Sequence, residues 1–374
     1  MTLFAPLKIA RSNSFTNFAV ALSLEYYLRH FCVIIIEPIS RKMNRIVYID
    51  IAKAICIILV VIGHYCPPGH PAWWRSVCDF IYSFHMPLFM FASGFVYIAT
   101  KRADENYGDF IIKKVKRLMV PYFTVSVIVI SIKLLASGFA YVENPVSLFS
   151  YAKMFYYPEA GFFLWFIWAL WWMFVLVPLF KTKEQRLLLF FVSIFIHYIP
   201  FTTTELFCIS SFKDMLLFFM MGVVLYDWKE TISAVKKVPE WAFIAAFAIA
   251  YSISVSGPSF GGGYLAAGAR LALPFLGIAA IIALSRMIEK SSTRIGWLMT
   301  ISSSSYIIYL FHTTFEGFAK ALLFKMPYLN NIGDSLIFAT GAAIVVACGV
   351  LIPILLNEKV FKKYYITKTL FGLK

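Results

Sequence analysis

Charge is what this sequence has least of. Asp, Glu, Lys and Arg supply 14% of its 374 residues, against about a quarter in soluble domains, while 61% are hydrophobic. Such a chain cannot cover a soluble surface, so an all-α, polytopic membrane protein is expected, with helices satisfying their own backbone inside the bilayer. No soluble domain is left over, because the longest connection between apolar runs, Ser137 to Gly161, is too short for one. No internal repeat is visible. The six cysteines form no C-x-x-C spacing, and no metal site is expected.

What is there is a series of apolar runs. Stretches of about 20 mainly apolar residues place ten spans at 47–66, 78–100, 118–138, 162–180, 186–202, 210–227, 240–256, 265–285, 299–320 and 334–356. The net charge of +15 does not point to nucleic acid, because it is sorted by side of the membrane. One set of loops holds Lys101, Arg102, Lys113, Lys114, Lys116, Arg117, Lys181, Lys183, Arg186, Lys229, Lys236, Lys237, Arg286, Lys290 and Arg294. The alternate set has only Arg75, Lys153, Lys213 and Lys325. By the positive-inside rule the first set is cytoplasmic, as are both termini. The expected location is the inner (cytoplasmic) membrane of the cell, among its lipids.

Three segments follow: a membrane domain over 43–358, a basic tail over 359–374, and residues 1–42. In the last, Asn17 to Pro38 is apolar but interrupted by Glu25, Arg29 and His30. That makes a poor spanning helix, and no small-residue cleavage site ends an apolar core. An upstream extension is expected, with Met43 as an alternative start. Cys66, Cys78 and Cys208 fall near the outer side; a Cys66–Cys78 disulfide in an oxidising compartment and small buried hydrophobes are both open readings.

Apolar helices do not carry ionisable groups cheaply, which makes such groups the first functional candidates. In the first span Asp50, Lys53 and His64 share one face: Lys53 to His64 closes to within roughly 20° of whole turns, about 16 Å along the axis. His85, Arg270 and His312 lie at a depth similar to His64, as a polar cavity open to the outside requires. Each has a plainer alternative: helix packing for His312, and snorkelling to the outer interface for Arg270. His is the side chain best matched to exchange a proton near neutral pH. On the inner side, Lys116 and Arg117 read as a topology signal or as an anion site for a phosphorylated donor. Ser93-Gly94 permits close approach of a helix or of a ligand. The run from Trp165 to Trp172 reads first as an interfacial belt. His70 and His197 carry no expected role.

In order, Asp50-Ile51-Ala52-Lys53 through Gly63-His64, Phe84-His85-Met86-Pro87, Ser93-Gly94-Phe95, Lys116-Arg117-Leu118 with Pro121-Tyr122, Leu164-Trp165-Phe166, and Ser305 through His312 resemble the acyltransferase 3 family of integral-membrane O-acyltransferases. Lys53 stands where that family commonly has Arg, which resembles its sugar O-acetylase branch, such as fucose 4-O-acetylases. The resemblance implies transfer of an acetyl or other short acyl group from cytoplasmic acetyl-CoA, a substrate and not a bound cofactor, to a hydroxyl of a cell-surface or lipid-linked glycan. His64 would be the general base, with His85 orienting the hydroxyl and Lys53, paired with Asp50, positioning the donor. Ser93, Lys116 and Arg117 would serve the donor, and Arg270, His312 and Trp165 the acceptor. The alternative is a transporter or flippase for a lipid-linked sugar, against which the lack of repeats and of paired broken helices counts.

Overall fold

The computed structural model describes residues 46–373 apart from 68, 102–104, 139–141, 143, 200–203, 231–237, 257–262, 292–294 and 324–333. The expected extension, 1–42, lies outside the described residues. The regular elements are α1 (Val47–His64), α2 (Ala72–Tyr82), α3 (His85–Thr100), α4 (Tyr107–Lys114), α5 (Val120–Ala136), α6 (Trp165–Leu176), α7 (Lys183–Tyr198), α8 (Ile209–Asp227), α9 (Glu240–Ser256), α10 (Gly263–Ser291), α11 (Gly296–Leu323), α12 (Ser335–Leu356) and a short terminal α13 (Tyr365–Leu370). No strand occurs among the described residues.

Each predicted span falls on helical structure, the second on two helices. Seven stretches are long and apolar enough to cross a membrane: Val47–His64, Ala72–Thr100, Tyr107–Ala136, Phe162–Leu179, Leu206–Asp227, Ala266–Ser291 and Ser335–Phe361. The other three spans fall short for separate reasons. The helices α7 and α9 have only 16 and 17 residues, whereas α11 has 28 but carries the polar run Ser302–Ser305, His312 and Glu316. The protein is a multi-pass, all-helical membrane protein.

Two prolines account for the departures from single uninterrupted spans. The second span is two helices, parted at Ser83–Phe84, because Pro87 in the first turn of α3 has no N–H for the Ser83 carbonyl. The third span begins earlier than predicted, at Tyr107, and widens into a π-turn over Val115–Met119. There Pro121 cannot donate to the Arg117 carbonyl four residues back, and the Tyr306 hydroxyl from α11 donates to it instead, at 2.9 Å.

The central helix is α1, which packs against α2, α3, α10, α11 and α12. Its Ile51, Ala52, Ala54, Cys56, Ile57 and Val61 are fully buried. A second close contact joins α3 to α8 through two glycines. A Cβ at Gly94 would lie 2.0 Å from the Phe219 carbonyl oxygen, and one at Gly222 would lie 2.1 Å from that of Phe91. Such small residues let backbones meet where lipid offers no hydrophobic drive. Of the two readings of Gly94, the structure gives it a helix as its neighbour. Two residues counted among the loop cations are also buried: Arg186 binds Asp227 (2.6 Å) and the carbonyls of Phe180 and Lys181, and Arg286 lies over the Tyr48 ring.

Candidate functional site

The polar residues of α1 face those of α11. Both helices run the same way, since Asp50 meets Ser302 toward their starts and His64 meets His312 further along both. At the end where both begin, the Lys53 ammonium reaches the Asp50 carboxylate at 3.3 Å, and the Ser302 hydroxyl donates to the same oxygen at 3.0 Å. The shared face expected from the helical period is therefore real, and Asp50 ties the two helices together. Two residues further along α11, Ser304 accepts from the Asn357 amide at 2.9 Å.

At the opposite end the histidines gather. The ring centroids of His64, the last residue of α1, and His312 of α11 are 5.0 Å apart. His85, the first residue of α3, is joined to them through Tyr82: its ring lies 5.0 Å from that of Tyr82, whose hydroxyl donates to the Gly63 carbonyl at 2.9 Å. His85 and His312 are both buried. Each points Nδ1 at backbone carbonyls of its own segment, Ile81 at 2.9 Å for His85, Tyr309 at 2.8 Å for His312. A carbonyl only accepts, so Nδ1 carries the proton and Nε2 is left as the basic nitrogen. For His312 that Nε2 is buried and has no hydrogen-bond partner among the described residues. A buried lone pair of this kind costs on the order of 1–3 kcal/mol if nothing occupies it, and so marks a place where a donor group such as a hydroxyl fits.

The remaining candidates are distributed more widely. Trp165 opens α6, and its ring meets that of Phe166; the aromatic wall against the histidines is instead Phe163, with centroids 5.3 Å from His312 and 6.2 Å from His64. Tyr309 closes that wall by donating to the Phe163 carbonyl. Arg270 is exposed on α10 and donates to the Ser254 carbonyl at the end of α9, 3.3 Å away, so the structure places it outside the histidine cluster. Ser93 is half-buried on α3, next to the crossing with α8. Lys116 and Arg117 are exposed on the π-turn. Their neighbours are engaged locally, Lys113 with Glu105 and Lys114 over the Phe174 ring at 3.6 Å.

The sequence reading passed over Glu316 and Lys320, which follow His312 on α11 at four-residue steps. Glu316 is 1% exposed and packs beside Gly349 of α12, where a Cβ would lie 3.0 Å from its Cγ and 2.9 Å from Val61. It lies within electrostatic reach of Tyr65 and Tyr82, and Lys320 within reach of His64. The signal that would have found them is that i, i+4, i+8 repeat in a helix otherwise read only for its histidine. Among the described residues no group of His, Cys, Asp and Glu is arranged to hold a metal.

The structure thus defines a polytopic helical membrane protein with a polar seam between α1 and α11 that ends in imidazoles. The chain belongs to the acyltransferase 3 family: the family's acyltransferase domain matches residues 46–357, and the protein is thus a membrane acyltransferase. No curated protein and no solved structure matches it.

Proposed function

We propose that the protein transfers an acetyl or other short acyl group from cytoplasmic acyl-CoA to a hydroxyl of a cell-surface or lipid-linked glycan, from a place in the inner membrane. The observation that carries the reading is the meeting of His64, His85 and His312, from three helices, at one end of the α1–α11 seam. A hydroxyl seated there gives up its proton to imidazole as it attacks the acyl carbonyl, and the thiol of CoA leaves. His64 is the base of choice because it is the half-buried member, reachable by an incoming hydroxyl. General-base assistance of this kind contributes about 10²–10⁴-fold.

The opposite end suits the donor. Lys116 and Arg117 offer exposed cations for the phosphates of CoA, and Lys53, held by Asp50, lies on the same seam, where a cation polarises a carbonyl. Ser93 belongs to this end, and Trp165 and Arg270 would act on the acceptor only if it extends beyond the histidines. The test is mass spectrometry of surface glycans from cells with and without the gene. An acetyl-sized difference is expected; no mass difference, with the protein in the membrane, would sink the reading.

A further inference from the structure

We infer that Cys66 and Cys78 are a modification site: their thiols are oxidised to a disulfide that staples α2 onto the end of α1 and so fixes His64 relative to His85. In the structure both are free thiols, with sulfurs 3.7 Å apart. Cys66 is exposed, two residues beyond His64, in the loop that leads to α2; Cys78 is buried in the apolar cluster of Tyr65, Trp74 and Phe338. The two segments are already held in register. The Trp74 indole donates to the Tyr65 carbonyl at 2.7 Å, and the Tyr82 hydroxyl donates to that of Gly63. Closing the bond needs the exposed Cys66 side chain to approach a sulfur that is fixed.

A base stands beside the exposed thiol. His70 directs Nδ1 at the Pro67 carbonyl at 2.9 Å, so Nδ1 carries the proton, and its basic Nε2 lies 3.9 Å from the Cys66 sulfur. The chemistry requires a disulfide-bearing oxidant, a protein disulfide or oxidised glutathione. Cys66 yields its proton to His70, and its thiolate attacks one sulfur of the oxidant, expelling one thiolate. The Cys78 thiolate then attacks the Cys66 sulfur of the mixed disulfide and expels the oxidant's second thiolate. The two cysteines lose two electrons and two protons, and the oxidant leaves as two thiols. The consequence is positional: α2 and the loop before it connect the last residue of α1, His64, to the first of α3, His85.

The functional half of this inference rests on the acyl-transfer reading. Membranes holding the full-length protein are exposed to oxidised glutathione and blocked with N-ethylmaleimide in denaturant. They are then reduced and labelled with polyethylene-glycol maleimide. Wild type should gain two labels, Cys66→Ser none, and Cys78→Ser no more than the one label of a Cys66–glutathione mixed disulfide; fewer than two labels gained by wild type overturns the bond. In parallel, dithiothreitol should lower acyl transfer severalfold in wild type and leave the Cys66→Ser, Cys78→Ser double variant unchanged. Equal transfer before and after reduction overturns the positional role. Absence of transfer from every membrane would refute the enzymatic reading alone, since the label count still decides the bond.

Discussion

His64, His85 and His312 differ in what holds them, and the difference sets what each substitution does. His85 and His312 spend Nδ1 on backbone carbonyls, so removing either also disturbs a helix end or turn, whereas His64 is half-buried. His64→Ala should therefore reduce acyl transfer by about 10²-fold or more at an unchanged membrane level. Near-normal acylation of glycans at equal protein level would remove it from the mechanism. Lys53 is tested by a series: Lys53→Arg should keep more activity than Lys53→Met or Lys53→Ala, because the Asp50 carboxylate needs a cation 3.3 Å away, although Arg is not a neutral exchange. Equal rates in all three would make the charge incidental. Asp50, Lys53 and His64 were legible in the sequence because the helical period alone puts them on one face. Phe163 was not: which ring of a dense aromatic run meets the histidines depends on the single 3₁₀ turn at Phe162–Leu164, which no periodicity reveals. Glu316 lay within a span scanned for apolar length, and its burial depends on Gly349, from another helix.

At the scale of elements, the apolar runs located every predicted helix, and the errors sit at prolines and at marginal lengths. Pro87 divides the second span and Pro121 opens the π-turn; both prolines were in view, but their effect depends on what receives the orphaned carbonyl. For Arg117 that partner is Tyr306, 189 residues away in sequence. Neutralising Lys116 and Arg117 together should raise the apparent KM for acetyl-CoA at least tenfold, with charge-assisted phosphate contacts worth about 1.5–3 kcal/mol each, and leave acceptor affinity alone. An unchanged donor KM, with correct topology reporters, would reduce the pair to a topology signal. The α3–α8 crossing makes a different kind of prediction. Gly94→Ala puts a Cβ where the Phe219 carbonyl now lies, an overpacking that costs about 1–3 kcal/mol. Thermal unfolding in detergent should shift down, while the protein that remains folded keeps its donor KM; a raised KM with unaltered stability would instead assign Gly94 to the ligand.

For the molecule as a whole, the two ends of the α1–α11 seam carry different chemistry, the Lys53–Asp50 pair at one and the imidazoles at the other, a division that the proposed transfer across the membrane would use. The distribution of Lys and Arg carries the proposed sidedness, and because Arg186 and Arg286 are buried structural groups, a count of loop cations mixes two causes. The family match begins at residue 46, and a chain begun at Met43 should insert with its C-terminus in the cytoplasm and retain acyl transfer. Stable but inactive protein would show that residues 1–42 are needed. The seam also sets a schedule. Asp50 emerges from the ribosome early, yet the hydroxyl that donates to it, that of Ser302, follows 252 residues later. The histidine cluster is completed in the same order: His64 and His85, joined through Tyr82, come with the first three helices, and His312 joins them only when α11 has been made, so a chain stalled short of α11 holds two of the three imidazoles and lacks the third.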